Sequence, residues 1–215
     1  MSIAIVLFAK APLPGRVKTR LSPPLSAGQA AGFHKACVCD AWETIAGLTG
    51  ASPYLYSDTL WAEPPEPIAP EQVKLQHGRD LGDRMFNCFQ ELLEHDHSGI
   101  LIVGSDCPSL PGSYLVEGLE VLTRTDAVLG PAEDGGYYAI GCRQPHPRMF
   151  EGVPWSSEET FECTEKSLTA LGQSIHKLPP WYDVDTLDDL RRLAAEASLP
   201  RHVGSWISEH RGLLA

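Results

Sequence analysis

Four stretches of this sequence carry groups able to handle a charged substrate. The first is FAKAPLPGRVKTRL, from Phe8 to Leu21, where prolines stiffen a loop that presents cations. Lys10, Lys18 and Arg20 offer charge there with little ordering cost, and Gly15 lets a ligand approach the backbone. Lysine supplies a compact charge and arginine a planar donor fork, a pairing suited to a diphosphate. Residues 1–39 hold Lys10, Arg16, Lys18, Arg20 and Lys35 and no acid, so this segment is +5 in a chain of net charge −11. Such asymmetry suggests an anion site on an acidic body, with a solvated basic loop as the plain alternative. Neither GxxxxGK[ST] nor GxGxxG is present.

The other three stretches are acidic. Asp106 follows the apolar run ILIVGS and precedes a proline turn, which sets a carboxylate at the end of a buried strand; capping the next helix is its alternative role. In EDGGYY, residues 133–138, Gly135 and Gly136 leave room near the backbone beside Tyr137. Asp134 or Glu133 can accept a proton there, unless the segment is an ordinary Asp-Gly hairpin. Asp183-Val184-Asp185 lies between a strand and a helix, and residues two apart in extended chain point the same way. Both carboxylates can then face one cation, or simply complement the helix N-terminus. Carboxylates repel diphosphates, so if Lys18, Arg20 and Asp106 share a pocket, a divalent cation must sit between acid and phosphate. Oxygen ligands favour Mg²⁺ or Mn²⁺ over zinc.

The composition limits what such a site can serve. The 215 residues suit one domain, 1–215, able to bury about 70% of its unfolded surface. Hydrophobic content of 43% and charged content of 21% fit a globular enzyme. The acidic balance argues against nucleic acid as a partner, and no apolar run approaches a membrane span. The basic residue follows the first apolar run instead of preceding it, so the N-terminus does not read as a signal peptide and a cytoplasmic protein is expected. The six cysteines include no CxxC and are expected as reduced, buried thiols.

Strands are expected at 2–9, 52–57, 72–76, 99–105, 126–132, 135–142 and 174–178. Helices are expected at 26–48 with a Ser26 cap, from Asp80, from near Pro111, at 157–171, after Thr186 with Asp189 completing a capping box, and within 199–210. EPPEPIAP, 63–70, reads as an irregular surface connection. Strands alternating with helices give an α/β domain with a mostly parallel sheet, whose ligands sit outside the carboxyl ends of the strands. All four chemical stretches fall at such ends.

Together, FAKAPLPGRVKTRL, QHGRDLGDRM, GSDCPSL, GPAEDGGYYAIG and DVDTLDDL resemble the bacterial arsenosugar-biosynthesis glycosyltransferases, over residues 3–190. These are nucleotide-diphospho-sugar-transferase-like proteins of the GT-A superfamily, which also holds guanylyltransferases. The resemblance implies a GT-A-like three-layer sandwich with a mostly parallel mixed sheet. It implies that Lys10, Gly15, Lys18 and Arg20 hold nucleotide phosphates, and that Gly78, Asp80 and Arg84 lie near the nucleobase. Asp106 and Asp185, with Asp183, would bind Mg²⁺ or Mn²⁺; Asp134, with Lys18, would be catalytic, and Gly135, Gly136 and Tyr137 would line the acceptor side. The activity implied is glycosyl transfer from a nucleotide-activated donor to a small-molecule acceptor. Nucleotidyl transfer with release of pyrophosphate, and a non-catalytic nucleotide-binding module, are the alternatives.

Overall fold

A computed structural model describes residues 2–61, 64–65 and 67–214. Among these residues seven strands form one sheet: β1 (Ser2–Ala9), β2 (Ala51–Ser57), β3 (Val73–Leu75), β4 (His97–Gly104), β5 (Ala127–Pro131), β6 (Tyr137–Cys142) and β7 (Ile175–Lys177). Their order is β3-β2-β1-β4-β6-β5-β7; β6 runs antiparallel to both neighbours and every other pairing is parallel. The expected α/β fold with a mostly parallel mixed sheet is therefore what the chain adopts. Among the described residues there are six α-helices: α1 (Ala27–Ala46), α2 (Leu81–Glu94), α3 (Gly112–Leu122), α4 (Thr160–Ala170), α5 (Leu187–Ala194) and α6 (Arg201–Glu209).

The unbroken apolar run of β1 has a direct cause. Alternate residues point to opposite faces, and both faces are covered. Ile5 and Leu7 pack with Leu101 and Val103 against Val38 and Trp42 of α1 and Leu115 of α3. Ala4 and Val6 pack with Ile100 and Ile102 against Met85, Phe89 and Leu92 of α2. Helix α1 is buried on two sides, because Phe33 and Cys37 turn away from the sheet toward Leu190 of α5 and Val203 and Trp206 of α6. That double burial explains why its sequence lacks a clean polar stripe.

Local signals set most boundaries. Ser26 caps α1 in a capping box with Gln29, and Thr186 with Asp189 does the same for α5. Pro111 is the residue before α3 instead of its first helical position, and α3 begins at Gly112. Residues 135 and 136 belong to a turn, so β6 begins at Tyr137. Of the expected 63–70 connection, Glu63 and Glu66 lie outside the described residues. All six cysteines are free; Cys37, Cys88, Cys107 and Cys142 are buried. Among the described residues no helix is long and apolar enough to cross a membrane.

The topology fixes where a ligand can bind. From β1 the chain moves outward through β2 and β3, then returns to place β4 on the other side of β1. The carboxyl ends of β1 and β4 thus flank the switch point of the sheet, the usual ligand crevice of open α/β folds.

The two-sided burial of α1 yields a stability prediction. Phe33 is fully buried and packs on Trp206 with ring centroids 5.1 Å apart, whereas Leu13 is 40% exposed. Phe33→Ala should cost about 3–5 kcal/mol. Leu13→Ala should stay within about 0.5 kcal/mol. Urea denaturation followed by circular dichroism separates the two, and equal losses would contradict this packing.

Candidate functional site

The loop after β1 delivers Lys18 to the carboxyl end of β4, beside Asp106. Lys18 has φ 46° and ψ 40°, a left-handed conformation unusual for a residue with a side chain. Its side chain is 2% exposed. The ammonium donates to the Val184 carbonyl at 2.8 Å, to Asp185 Oδ1 at 3.0 Å, and to Asp106 Oδ1 in a close ion pair. A backbone bond from Val184 N–H to the Asp106 carbonyl, 2.9 Å, closes the constellation.

Each acid is free for this because another group does its alternative job. Pro111, not Asp106, precedes α3, and the Thr186–Asp189 box caps α5 without Asp185. The charges reinforce one another. Burial works against the Lys18 ammonium, yet Asp106 and Asp185 outweigh it and hold its pKa above the ordinary lysine range. Burial likewise opposes ionisation of Asp106, and Lys18 reverses this, leaving the carboxyl below its usual value. Only the lysine is buried, so losing a carboxylate would leave a desolvated ammonium short of a partner, while solvent at the half-exposed acids screens part of the attraction.

A pocket of about 620 Å³ opens above this ionic floor. Lys10, Lys18, Arg20, Asp80, Arg84, Asp106, Tyr137 and Asp185 all line it, which brings eight of the residues expected from sequence into one cavity. Asp80 uses its carboxylate to cap α2, accepting from Asp83 N–H at 2.8 Å. Part of the lining is apolar: Leu81 and Met85 of α2 with Ile102, Tyr137 and Trp155.

Six expected residues lie outside the lining, each for a structural reason. Gly15 has φ 76° and serves a turn, with open space where a Cβ would be. Gly78 backs onto the first turn of α2, where a Cβ would meet the Arg84 nitrogen at 2.6 Å. Gly135 has φ 88° and abuts the Glu158 backbone, so both requirements exclude a side chain. The EDGGYY segment is the hairpin turn between β5 and β6: Asp134 Oδ1 accepts from Gly136 N–H at 2.8 Å. Glu133 is held by Arg192 through two bonds of 2.6 and 3.0 Å, and that pairing lowers its pKa. Asp183 does not join Asp185 on Lys18, and its nearest charged influences are Asp134 and then Asp185.

Several pocket residues had no sequence signal that singled them out. Trp155 and Ser156 are held over the cavity by close packing: a Cβ on Gly82 would lie 2.7 Å from the Trp155 ring, and Phe161 N–H bonds the Gly135 carbonyl at 2.8 Å. His34 of α1 lines the pocket although it is buried. Its Nε2 bonds the Lys10 carbonyl at 2.9 Å, which requires Nε2 to carry the proton and leaves Nδ1 as a buried acceptor without a partner. The available clue was a helical histidine among the apolar Phe33, Ala36 and Cys37.

Two carboxylates at the floor of the pocket offer oxygen ligands to a divalent cation. Asp106 keeps half of its side chain exposed and Asp185 more than a third, with Asp185 Oδ2 3.9 Å from the Arg20 guanidinium, so part of each carboxylate stays open beside the pocket they line. All-oxygen ligation of this kind fits Mg²⁺ or Mn²⁺. Asp183 does not complete a tight triad. Among the described residues the one group of three ligating atoms within 4.8 Å is Asp40, Glu43 and His202, between α1 and α6. There both Asp40 oxygens accept backbone N–H groups of α6 and Glu43 pairs with Arg201, so that cluster is a helix anchor.

Residues 49–157 match the model of a family described as "Uncharacterized protein conserved in bacteria (DUF2064)". No curated protein matches. Among solved structures, a protein of Desulfovibrio desulfuricans G20, provisionally named a nucleotide-diphospho-sugar transferase, is 31% identical, with 100% of this chain and 97% of that one covered and a TM-score of 0.89. CMP:2-keto-3-deoxy-manno-octonic acid synthetase in complex with CTP is 12% identical over 91% of this chain and 98% of its own, TM-score 0.54. A cytidylyltransferase of Leptospira borgpetersenii serovar Hardjo-bovis is 12% identical over 100% and 97%, TM-score 0.53. The last two likenesses are of fold.

The isolation of Asp183 gives a pH prediction. Burial, then Asp134 and Asp185, raise its pKa from 3.8 to about 6. The folded protein therefore binds this proton more tightly than the unfolded chain. The resulting stabilisation is complete below the unfolded value and is lost as pH rises through the folded one. Asp183→Asn should raise the melting temperature at pH 8 and lose that advantage at pH 4, each 1 kcal/mol reading as about 2–4 °C. Thermal melts in EDTA check this, and an effect independent of pH would contradict it.

Proposed function

This chain belongs to the bacterial family described as DUF2064, and from that premise we propose that it is a metal-dependent glycosyltransferase taking a nucleotide-diphospho-sugar donor and a small-molecule acceptor. The 31% identity to the Desulfovibrio protein over the full chain supports transferase chemistry on a nucleotide-sugar-related substrate. The motif resemblance to arsenosugar-biosynthesis glycosyltransferases favours glycosyl transfer within that class.

The observation that carries the reading is the ionic floor of Lys18, Asp106 and Asp185 beneath a cavity of about 620 Å³, a volume typical of a small-ligand site. Around it, Lys10, Arg20 and Arg84 line the same cavity and supply donors for a diphosphate. Asp106 and Asp185 would hold Mg²⁺ or Mn²⁺, which when bound supplies positive charge to the departing diphosphate. The apolar wall of Leu81, Met85 and Trp155 gives the uncharged part of a substrate a surface that excludes water. Asp134 is given no part as a base, because its Oδ1 is engaged in its own turn and the residue does not line the cavity.

The test begins with a thermal-shift screen of nucleoside-diphosphate sugars and nucleoside triphosphates, each with and without Mg²⁺ or Mn²⁺. A donor at 100 times its dissociation constant should stabilise by about 2.7 kcal/mol. Turnover should release nucleoside diphosphate, and Asp106→Asn should reduce it about 10²–10³-fold, the usual loss for one electrostatic contact to developing charge. Release of pyrophosphate would assign nucleotidyl transfer instead. Binding of every donor without turnover would leave a nucleotide-binding module.

A further inference from the structure

The sequence suggested that Lys18 grips phosphate, yet the structure leaves it no hand to do so. An ammonium has three N–H donors. Those of Lys18 go to Val184, Asp185 and Asp106. The arrangement is built, not incidental: the side chain is almost wholly buried, and the backbone adopts a left-handed conformation to reach the acids. Strain held at a cluster of charges marks a group whose position is used.

We propose that Lys18 is a resident counter-ion for Asp106 and Asp185 that a divalent cation displaces, so that the pocket takes up cation and diphosphate together. This rests on the nucleotide-sugar reading of the pocket. The ammonium already holds Oδ1 of both carboxylates, and an ion bound to the same two groups would set a second positive charge beside it, where like charges repel. An ion arriving alone strands the lysine beside a dication. A diphosphate arriving alone meets a lysine already neutralised by carboxylates. Arriving together they complete an exchange: the ion takes the carboxylates and the freed ammonium takes phosphate oxygens, beside Lys10 and Arg20 in the same cavity. No covalent bond changes. Coupling of this kind is reciprocal, so each ligand must raise the other's affinity by one common factor.

The experiment measures Mn²⁺ binding by electron paramagnetic resonance and calorimetry, in the wild-type chain and in Lys18→Met and Lys18→Gly. Glycine accepts the left-handed backbone without strain, so Lys18→Gly guards against misfolding, and far-ultraviolet circular dichroism verifies each variant. Wild-type protein should bind Mn²⁺ weakly alone. A nucleoside diphosphate chosen from UDP, GDP, CDP and ADP should tighten it about 5–150-fold, the usual range of coupling between two sites. Both variants should bind Mn²⁺ more tightly than wild type without nucleotide, and should lose most of the coupling. The proposal is overturned if folded variants gain no Mn²⁺ affinity. It is equally overturned if a diphosphate binds wild type and leaves Mn²⁺ affinity unchanged. Should no nucleotide bind any form, the proposed function fails, and the Mn²⁺ gain of the Lys18 variants still decides the exchange.

Discussion

The ion triplet of Lys18, Asp106 and Asp185 is the constraint on which this molecule is arranged. A buried ammonium is tolerated only if its charge and all its donors are met. Here one requirement draws together three distant pieces of chain: the loop after β1, the end of β4 and the approach to α5. The backbone bond between Val184 and Asp106 adds a neutral strut to the charged one. A site made this way is positioned by long-range contacts, so its geometry is a property of the folded domain and not of any single loop.

The fold supplies the rest of the positioning. Because β1 and β4 are neighbours at the switch point, their carboxyl ends put cation and acid side by side without a long excursion of either loop. Helix α1 then serves two layers, one face on the sheet and one on α5 and α6. That second contact fixes α5, and with it the segment bearing Asp185. Arg192 extends the brace: it clasps Glu133 of the hairpin while its guanidinium lies 3.8 Å from the centre of the Tyr182 ring. Exposed pairs of this sort add little stability singly, and here the pair joins the hairpin to α5.

The apolar side of the cavity is built by a different device. Glycines remove side chains where two segments must touch, and Gly82 and Gly135 admit the stretch from Trp155 to Glu158 against α2 and the hairpin. The result is a cavity with an ionic end and an aromatic end, held by elements that share no sequence neighbourhood. Such polarity suits a ligand with a charged head and an uncharged body.

The sequence by itself determined the elements and the chemical inventory. Periodicity, caps and the apolar run of β1 are local signals, so the seven strands, six helices and a mostly parallel sheet were legible, the mixed sheet coming from the resemblance, with errors of one to three residues at Pro111, Tyr137 and the start of α4. Its loops also announced which residues bear charge at the ligand edge, and the structure brings Lys18, Asp106 and Asp185 into contact there. Tertiary structure alone decided what each charge faces. Asp183 and Asp185 are two residues apart, yet only Asp185 reaches the lysine, and Asp134 spends an oxygen on its own turn. His34 and Trp155 entered the cavity through packing across 24 residues to Lys10 and 73 residues to Gly82, distances over which local pattern carries no information. Charge is written residue by residue, but a partner exists only once the chain has closed on itself.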